Sequence, residues 1–482
     1  MVILKSDCTD LGFETVKLFS IIILLNFLFS ALVSSQNSVG FRKGVVIDSV
    51  VCRSNARQTY ALYLPSQYRP DTAWPIIYAF DPVARGALPV QLLVKAAEKY
   101  GYIVVGSNNS RNGPFQQQFD AANALSTDTN VRFKIDQKRM YTLGFSGGGR
   151  LASTIAVLTS RIAGVIACGA SFSYDYFPPL EKNFVYLGLI GTGDMNYTEM
   201  HATARKLDRL NYPNKILIFD GGHQWPSEEL FMEAVEWLEL QAMQRGHKPR
   251  DPKWVEDLFT KALTNAKQFE GSEQLFEAYK AYSAILTDFT DLQDLQEVQN
   301  KVARLQDSKP VKAALKTEKQ LELRELKYLK KFFAAFQALD VEAYTRTGDL
   351  EEHAWWEKEV RALNEKSEKA KTTEEKRMLS RIIDWLWRHC AEQSSVFFEE
   401  NGLVKAKMYI DIWNIVLPDK PYPKYGLARV YALNGNVAKA LEALNTAVTL
   451  GFDNVPLLET DEYLDSLRQE EAFKKLVAEL KK

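Results

Sequence analysis

Five consecutive residues, Gly144-Phe145-Ser146-Gly147-Gly148, fit the pattern G-x-S-x-G. A serine at a strand-to-helix turn takes a strained backbone conformation that lifts its hydroxyl clear of the sheet. Side chains two residues to either side would collide, so glycine is needed at both places. "MYTL" before the motif reads as a strand and "RLASTIAV" after it as a helix, whose first N–H groups face any negative charge that develops at the serine. A serine nucleophile needs a general base and a group to orient that base. Of the five histidines, His201 and His223 lie in the part of the chain where strands and helices alternate. His223, in "FDGGHQWP", follows the last predicted strand on a glycine-rich loop, whereas His201 sits in a helical run. "GLIGTGDMNY" places Asp194 just past the preceding strand. The chemistry this predicts is acyl transfer: Ser146 attacks, His223 carries the proton, and Asp194 fixes the imidazole and stabilises its cation. Asp220, close in sequence to His223, is the rival acid.

Such a reaction also needs donors for an oxyanion. The Gly147 N–H is one. The second is expected from the loop after the third core strand, "YAFDPVARG", where Pro82 has no N–H and the donor is Asp81 or, by preference, Val83. Asp81 and Arg85 have a competing reading as a structural pair fixing that loop. The glycines have competing readings too. Gly147 to Ala152 formally fits G-x-G-x-x-A, but the next strand, in "AGVIACGASFS", ends without the acidic residue that holds a ribose, and no lysine follows to make a phosphate-binding loop of the Walker type. A plain structural turn is the remaining alternative, and the aspartate and histidine at downstream strand ends weigh against it.

These residues need a sheet to position them. Strand candidates are 44–52, 59–64, 75–80, 102–107, 139–145, 163–169, 184–191 and 215–220, with helical periodicity over 88–101, 115–128, 148–159 and 198–211. Runs such as "YIVV" and "VIACGA" are apolar on both faces, as strands covered by helices must be. The expected class is α/β, a mainly parallel sheet with helices on both faces over 40–246, followed by an all-α region. "QRGHKPRDPKW" (244–254) is the polar boundary. Residues 253–400 are helical without a clear period. In 401–482, Ala406, Ile410 and Pro418 recur 34 residues later as Ala440, Leu444 and Phe452, the tetratricopeptide period. "YGLARVYALNGNVAKALEALNTAVTLG" (425–451) resembles one such unit, with Tyr431, Gly435, Ala440, Leu444 and Ala447 at its packing positions; Phe452 departs from the closing proline.

The 482 residues are 46% hydrophobic and carry a net charge of −1, which excludes a global field favouring nucleic acid. "LFSIIILLNFLFSALV" (18–33) is an apolar run followed by small residues, and 1–35 reads as an export signal, with an uncleaved membrane anchor as the alternative. Cys52, Cys168 and Cys390 have no metal-like spacing and read as buried thiols. No metal is expected.

Taken with "FDPVARG", "GSNNSRNGP", "GFSGGG", "GTGD" and "GGHQWP", these residues resemble the α/β-hydrolase superfamily over roughly 40–245. Within it, they are similar to the exported branch of polyhydroxybutyrate depolymerases, feruloyl esterases and dienelactone-hydrolase-like proteins. The resemblance implies hydrolysis of a small or polymer-linked ester through an acyl-serine, without a cofactor, with Ser146, Asp194 and His223 as nucleophile, acid and base. Little sequence separates the sixth strand from the acid loop, so an open site is expected, with "SFSYDYFPPLEKNF" (171–184) the only candidate cap. Two other functions compete: a serine peptidase of the same fold, and a non-catalytic scaffold that binds protein partners through its helical repeats.

Overall fold

The computed structural model describes residues 40–173, 184–400 and 402–481. The proposed export signal (1–35) and most of the candidate cap (174–183) lie outside the described residues. The chain divides into two compact units between Thr317 and Glu318.

The first unit is built on eight strands: β1 (Val46–Cys52), β2 (Asn55–Tyr63), β3 (Trp74–Phe80), β4 (Ile103–Ser107), β5 (Ile135–Phe145), β6 (Gly164–Cys168), β7 (Val185–Gly191) and β8 (Asn214–Phe219). They form one sheet in the order β1-β2-β4-β3-β5-β6-β7-β8. β1 and β4 each pair antiparallel with β2, and every other pair is parallel. All eight predicted strands are present. β5 starts four residues earlier than predicted, because Ile135 pairs with Trp74 before a register shift carries the ladder to Met140 opposite Ile76.

Five helices cover this sheet: α1 (Ala87–Tyr100), α2 (Phe115–Arg132), α3 (Gly147–Leu158), α4 (Tyr197–Arg209) and α5 (Glu228–Gln244). Alternation along the strands assigns them to faces. Ile76, Tyr78 and Phe80 of β3 join one core with Leu125 of α2, Leu151 and Ile155 of α3, and Leu207 of α4. Ile77 and Ala79 join the other, with Val90 and Leu93 of α1 and Val235 and Leu238 of α5. β4, β6 and β7 are buried throughout, which is why those segments read as unbroken apolar runs.

The compact unit does not end at the polar boundary near 246. Helices α6 (Pro252–Gly271), α7 (Leu275–Asp288) and α8 (Gln296–Asp307) continue it. Asp288 of α7 is buried and accepts hydrogen bonds from Trp237 Nε1 of α5 (2.9 Å) and Lys215 Nζ of β8 (2.8 Å). Ala278, Tyr282, Ile285 and Phe289 share a core with Leu240 and Met243 of α5. A turn-forming sequence therefore marks a bend in the chain, while the long-range contacts that hold α7 against α5 come from residues some 50 positions away.

The division between units falls within α9 (Lys309–Gln337). The second unit continues with α10 (Val341–Thr347), α11 (His353–Glu368), α12 (Thr373–Glu399), α13 (Leu403–Val416), α14 (Pro421–Leu433), α15 (Val437–Thr449), α16 (Val455–Thr460), a 3-10 turn (Glu462–Leu467) and α17 (Glu471–Leu480). The all-helical character expected after the sheet is thus present. Ala406 and Ala440, 34 residues apart, are both fully buried, and Gly435 makes the α14–α15 turn at φ 72°. Among the described residues no helix is long and apolar enough to cross a membrane.

His389 on α12 stacks on Trp385 with centroids 5.0 Å apart and faces Phe336 and Tyr409. Burial pushes its pKa down from 6.5 to about 4. Between those values the unfolded chain binds a proton that the folded chain refuses, so stability present above pH 6.5 is lost as pH falls towards 4. Thermal unfolding of the whole protein should show a smaller drop in Tm from pH 7 to pH 5 in His389→Gln than in the wild type. An equal drop would place the pH sensitivity elsewhere.

Candidate active site

Ser146 stands between β5 and α3 with φ 52° and ψ −123°, a combination that side chains rarely adopt. Its N–H donates to the Cys168 carbonyl at the end of β6 (2.8 Å), and its own carbonyl accepts from Gly149 N (2.9 Å) and Arg150 N (3.1 Å) in the first turn of α3. The turn is closed by backbone contact. A Cβ on Gly144 would lie 2.0 Å from the Gly148 carbonyl oxygen, and one on Gly148 would lie 2.1 Å from the Phe80 carbonyl oxygen. Gly144→Ala should therefore cost about 3 kcal/mol, the upper range of an overpacked core, because the obstacle is backbone that cannot swing away. Gly222, with nothing within 4 Å of its added Cβ, is the control, and Gly222→Ala should change stability by less than about 0.5 kcal/mol. Chemical denaturation of the two variants checks the contrast.

His223 lies four residues beyond the end of β8, on the loop 220–227. Its Nε2 is 2.9 Å from Ser146 Oγ, and its Nδ1 is 2.9 Å from Asp194 Oδ2. The side chains of His223 and Asp194 are 5% and 1% exposed. The structure thus brings together the three residues singled out from sequence. Asp194 is held by its surroundings: its Oδ1 accepts from Asn196 N (2.8 Å), and Asn196 Nδ2 donates to the Gly169 carbonyl (2.6 Å). The acid loop and the histidine loop are knitted by backbone bonds, Thr192 N to Phe219 O and Gly193 N to Gly221 O, both 2.8 Å. The approach is close enough that a Cβ on Gly191 would sit 2.4 Å from the Gly221 oxygen. Asp220 does not reach the imidazole; it is exposed and accepts from Thr192 Oγ1 at 3.2 Å. His201 lies within α4, its ring against Tyr197.

The loop after β3 departs from expectation. The Val83 N–H, preferred from sequence as a donor, points at Asp81 Oδ1 at 2.9 Å, so it is already spent. Asp81 is fully buried and gathers the whole loop: Arg85 N and Nε donate to Oδ1, and Arg85 Nη2 and Trp225 Nε1 donate to Oδ2 at 2.8 and 2.9 Å. Burial alone would raise the pKa of this carboxyl; the hydrogen bonds from Arg85, Trp225 and Val83 outweigh it and hold the group below the usual carboxylate range. The structural pairing of Asp81 with Arg85 is the reading that holds. The Gly147 N–H, at the first position of α3, has no intrahelical acceptor.

Three residues beyond the sequence reading shape the site. Trp225 carries the Asp81 bond and packs on Phe145, whose ring also faces His223 at 4.6 Å. Asn196 braces the acid. Asn112, on the loop after β4, stands against Gly147. All three lie within or beside the quoted stretches "GGHQWP", "GTGD" and "GSNNSRNGP", so adjacency to a motif was the available signal, but nothing in one sequence says which neighbours reach the site.

No protein-family model matches the chain, and no curated protein matches it. Among solved structures the chain is similar to an S-formylglutathione hydrolase from Staphylococcus aureus, at 14% identity over 42% of this chain and 99% of that one, with a TM-score of 0.34. It is also similar to an esterase from Pyrobaculum calidifontis (14% identity, 48% and 93% covered, TM-score 0.34). A third is a ferulic acid esterase (16% identity, 40% and 97% covered, TM-score 0.33).

Proposed function

We propose that this protein is a serine hydrolase of the α/β-hydrolase type, acting on carboxylic esters and exported on residues 1–35. The observation that carries the reading is the continuous relay from Ser146 Oγ through His223 to Asp194, with both hydrogen bonds at 2.9 Å. A hydroxyl, an imidazole and a buried carboxylate in this order are of no use to packing alone, because each desolvated polar group needs a partner to offset its burial.

In the reaction, Ser146 Oγ bonds to the ester carbonyl carbon while His223 Nε2 takes its proton. Asp194 accepts the Nδ1–H bond and stabilises the imidazolium. The carbonyl oxygen, now negative, lies beside the Gly147 N–H and the positive end of α3. Collapse expels the alcohol, which takes the proton from His223, and water repeats the cycle on the acyl-serine. The strained φ of Ser146 lifts its side chain out of the turn, clear of the sheet.

Labelling with a fluorophosphonate probe tests the reading, since it needs an activated serine. The wild type should be labelled at Ser146 and the Ser146→Ala variant should not; equal labelling of both would overturn it. Turnover of p-nitrophenyl acetate should exceed that of aminoacyl-p-nitroanilides, and the reverse order would make the protein a peptidase.

A further inference from the structure

We propose that the side-chain amide of Asn112 is the second donor of the oxyanion hole, an assignment that rests on the hydrolase reading above. A tetrahedral oxyanion beside Gly147 needs more than one preorganised donor. The loop after β3 offers little. Pro82 has no N–H, Val83 N and Arg85 N are bonded to Asp81 Oδ1, and Ala84 N is bonded to the Asp81 carbonyl at 3.0 Å. Four consecutive residues therefore present no N–H to substrate, and the Asp81 N–H is the rival donor.

Asn112 is placed where that gap lies. Its N–H donates to the Pro82 carbonyl at 2.8 Å, which ties the loop after β4 to the loop after β3. Its carboxamide rests on the Cα of Gly147: a Cβ there would come within 2.0 Å of Oδ1 and 2.8 Å of Nδ2. Gly147, the first residue of α3, is the one whose N–H the hydrolase reading assigns to the oxyanion. Among the described residues the Asn112 carboxamide makes no hydrogen bond, and a half-turn about χ2 exchanges its oxygen and nitrogen.

The glycine itself is informative. Closure of the turn demands glycine at 144 and 148, and the position after the serine is free in G-x-S-x-G. Gly147 does not have a positive φ. The three atoms nearest to a Cβ added at 147 all belong to the Asn112 carboxamide, the mobile end of an exposed side chain. The glycine thus leaves room for an unpaired amide beside the Gly147 N–H. As Oγ bonds to the carbonyl carbon and the C=O π pair moves onto oxygen, Nδ2–H and Gly147 N–H donate to that oxygen; neither gives up its proton.

The test compares wild type, Asn112→Ala, Asn112→Asp and Ser146→Ala as full-length proteins, by steady-state turnover of p-nitrophenyl acetate and by fluorophosphonate labelling. Asn112 is exposed, so its variants should fold, and their Tm checks this. Asn112→Ala should lower kcat about 100-fold with KM changed less than about threefold. Asn112→Asp should be slower still at pH 7, because a carboxylate repels the oxyanion. Wild-type labelling at Ser146 with kcat of Asn112→Ala within threefold of wild type overturns the assignment and leaves Asp81 N–H as the donor. A loss confined to KM also overturns it, since that describes ground-state binding. Absence of wild-type labelling overturns the hydrolase reading and this assignment with it.

Discussion

Replacing Ser146 by alanine is expected to lower ester turnover on the order of a million-fold, the loss typical when a nucleophile that acts as a unit with its base is removed. The residue left behind still holds φ near 52°, so alanine inherits the strain of the turn without its use. Ser146→Gly should be equally inactive yet melt about 2 °C above Ser146→Ala, because glycine takes that backbone conformation freely; its greater unfolded-state entropy offsets part of the gain. Activity and melting curves of the two variants separate chemistry from strain. Turnover in Ser146→Ala within tenfold of wild type would show that the serine is not the nucleophile. A lower melting temperature in Ser146→Gly would show that the turn is not strained.

Asp194→Asn should reduce kcat about 10,000-fold with little change in KM, since an amide facing Nδ1 favours the wrong imidazole tautomer and offers no charge to the imidazolium. The substitution keeps the shape and can still accept from Asn196 N, so the buried site stays packed. Asp220→Asn, on the exposed rival acid, should leave kcat within twofold. The two carboxylates are 26 positions apart in sequence and both border the histidine loop, so the pair of variants is a sharp comparison. Equal losses in both would mean that His223 draws on either carboxylate.

Much of this architecture was legible because its signals are local. The run from β5 through Ser146 into α3 places a β-period, a glycine pair and a helical period side by side, and steric closure at Gly144 and Gly148 leaves few alternatives. The buried strands announce themselves by apolar residues at every position, as in β7. Asp194 and His223 stand out in the sequence because each follows a strand at the same edge of the sheet. The unit boundary was less legible. Pro and Gly mark where a chain turns, and only the Asp288 bonds to Trp237 and Lys215 show that the helices beyond the turn belong to the same unit.

The loop after β3 shows the limit most clearly. Sequence identified the loop and the missing N–H of Pro82, but the direction of the Val83 N–H is decided by a buried carboxylate that must collect every nearby donor to remain charged. One of those donors, Trp225 Nε1, comes from 144 positions away. By itself, then, the sequence determined the strained turn at Ser146, the order in which Asp194 and His223 follow it and the sheet that presents all three, because short-range sterics and hydrophobic periodicity specify these. The tertiary structure alone decided which N–H groups are spent on Asp81 and which amide is left against Gly147, because hydrogen bonds between loops depend on distances that no local pattern encodes.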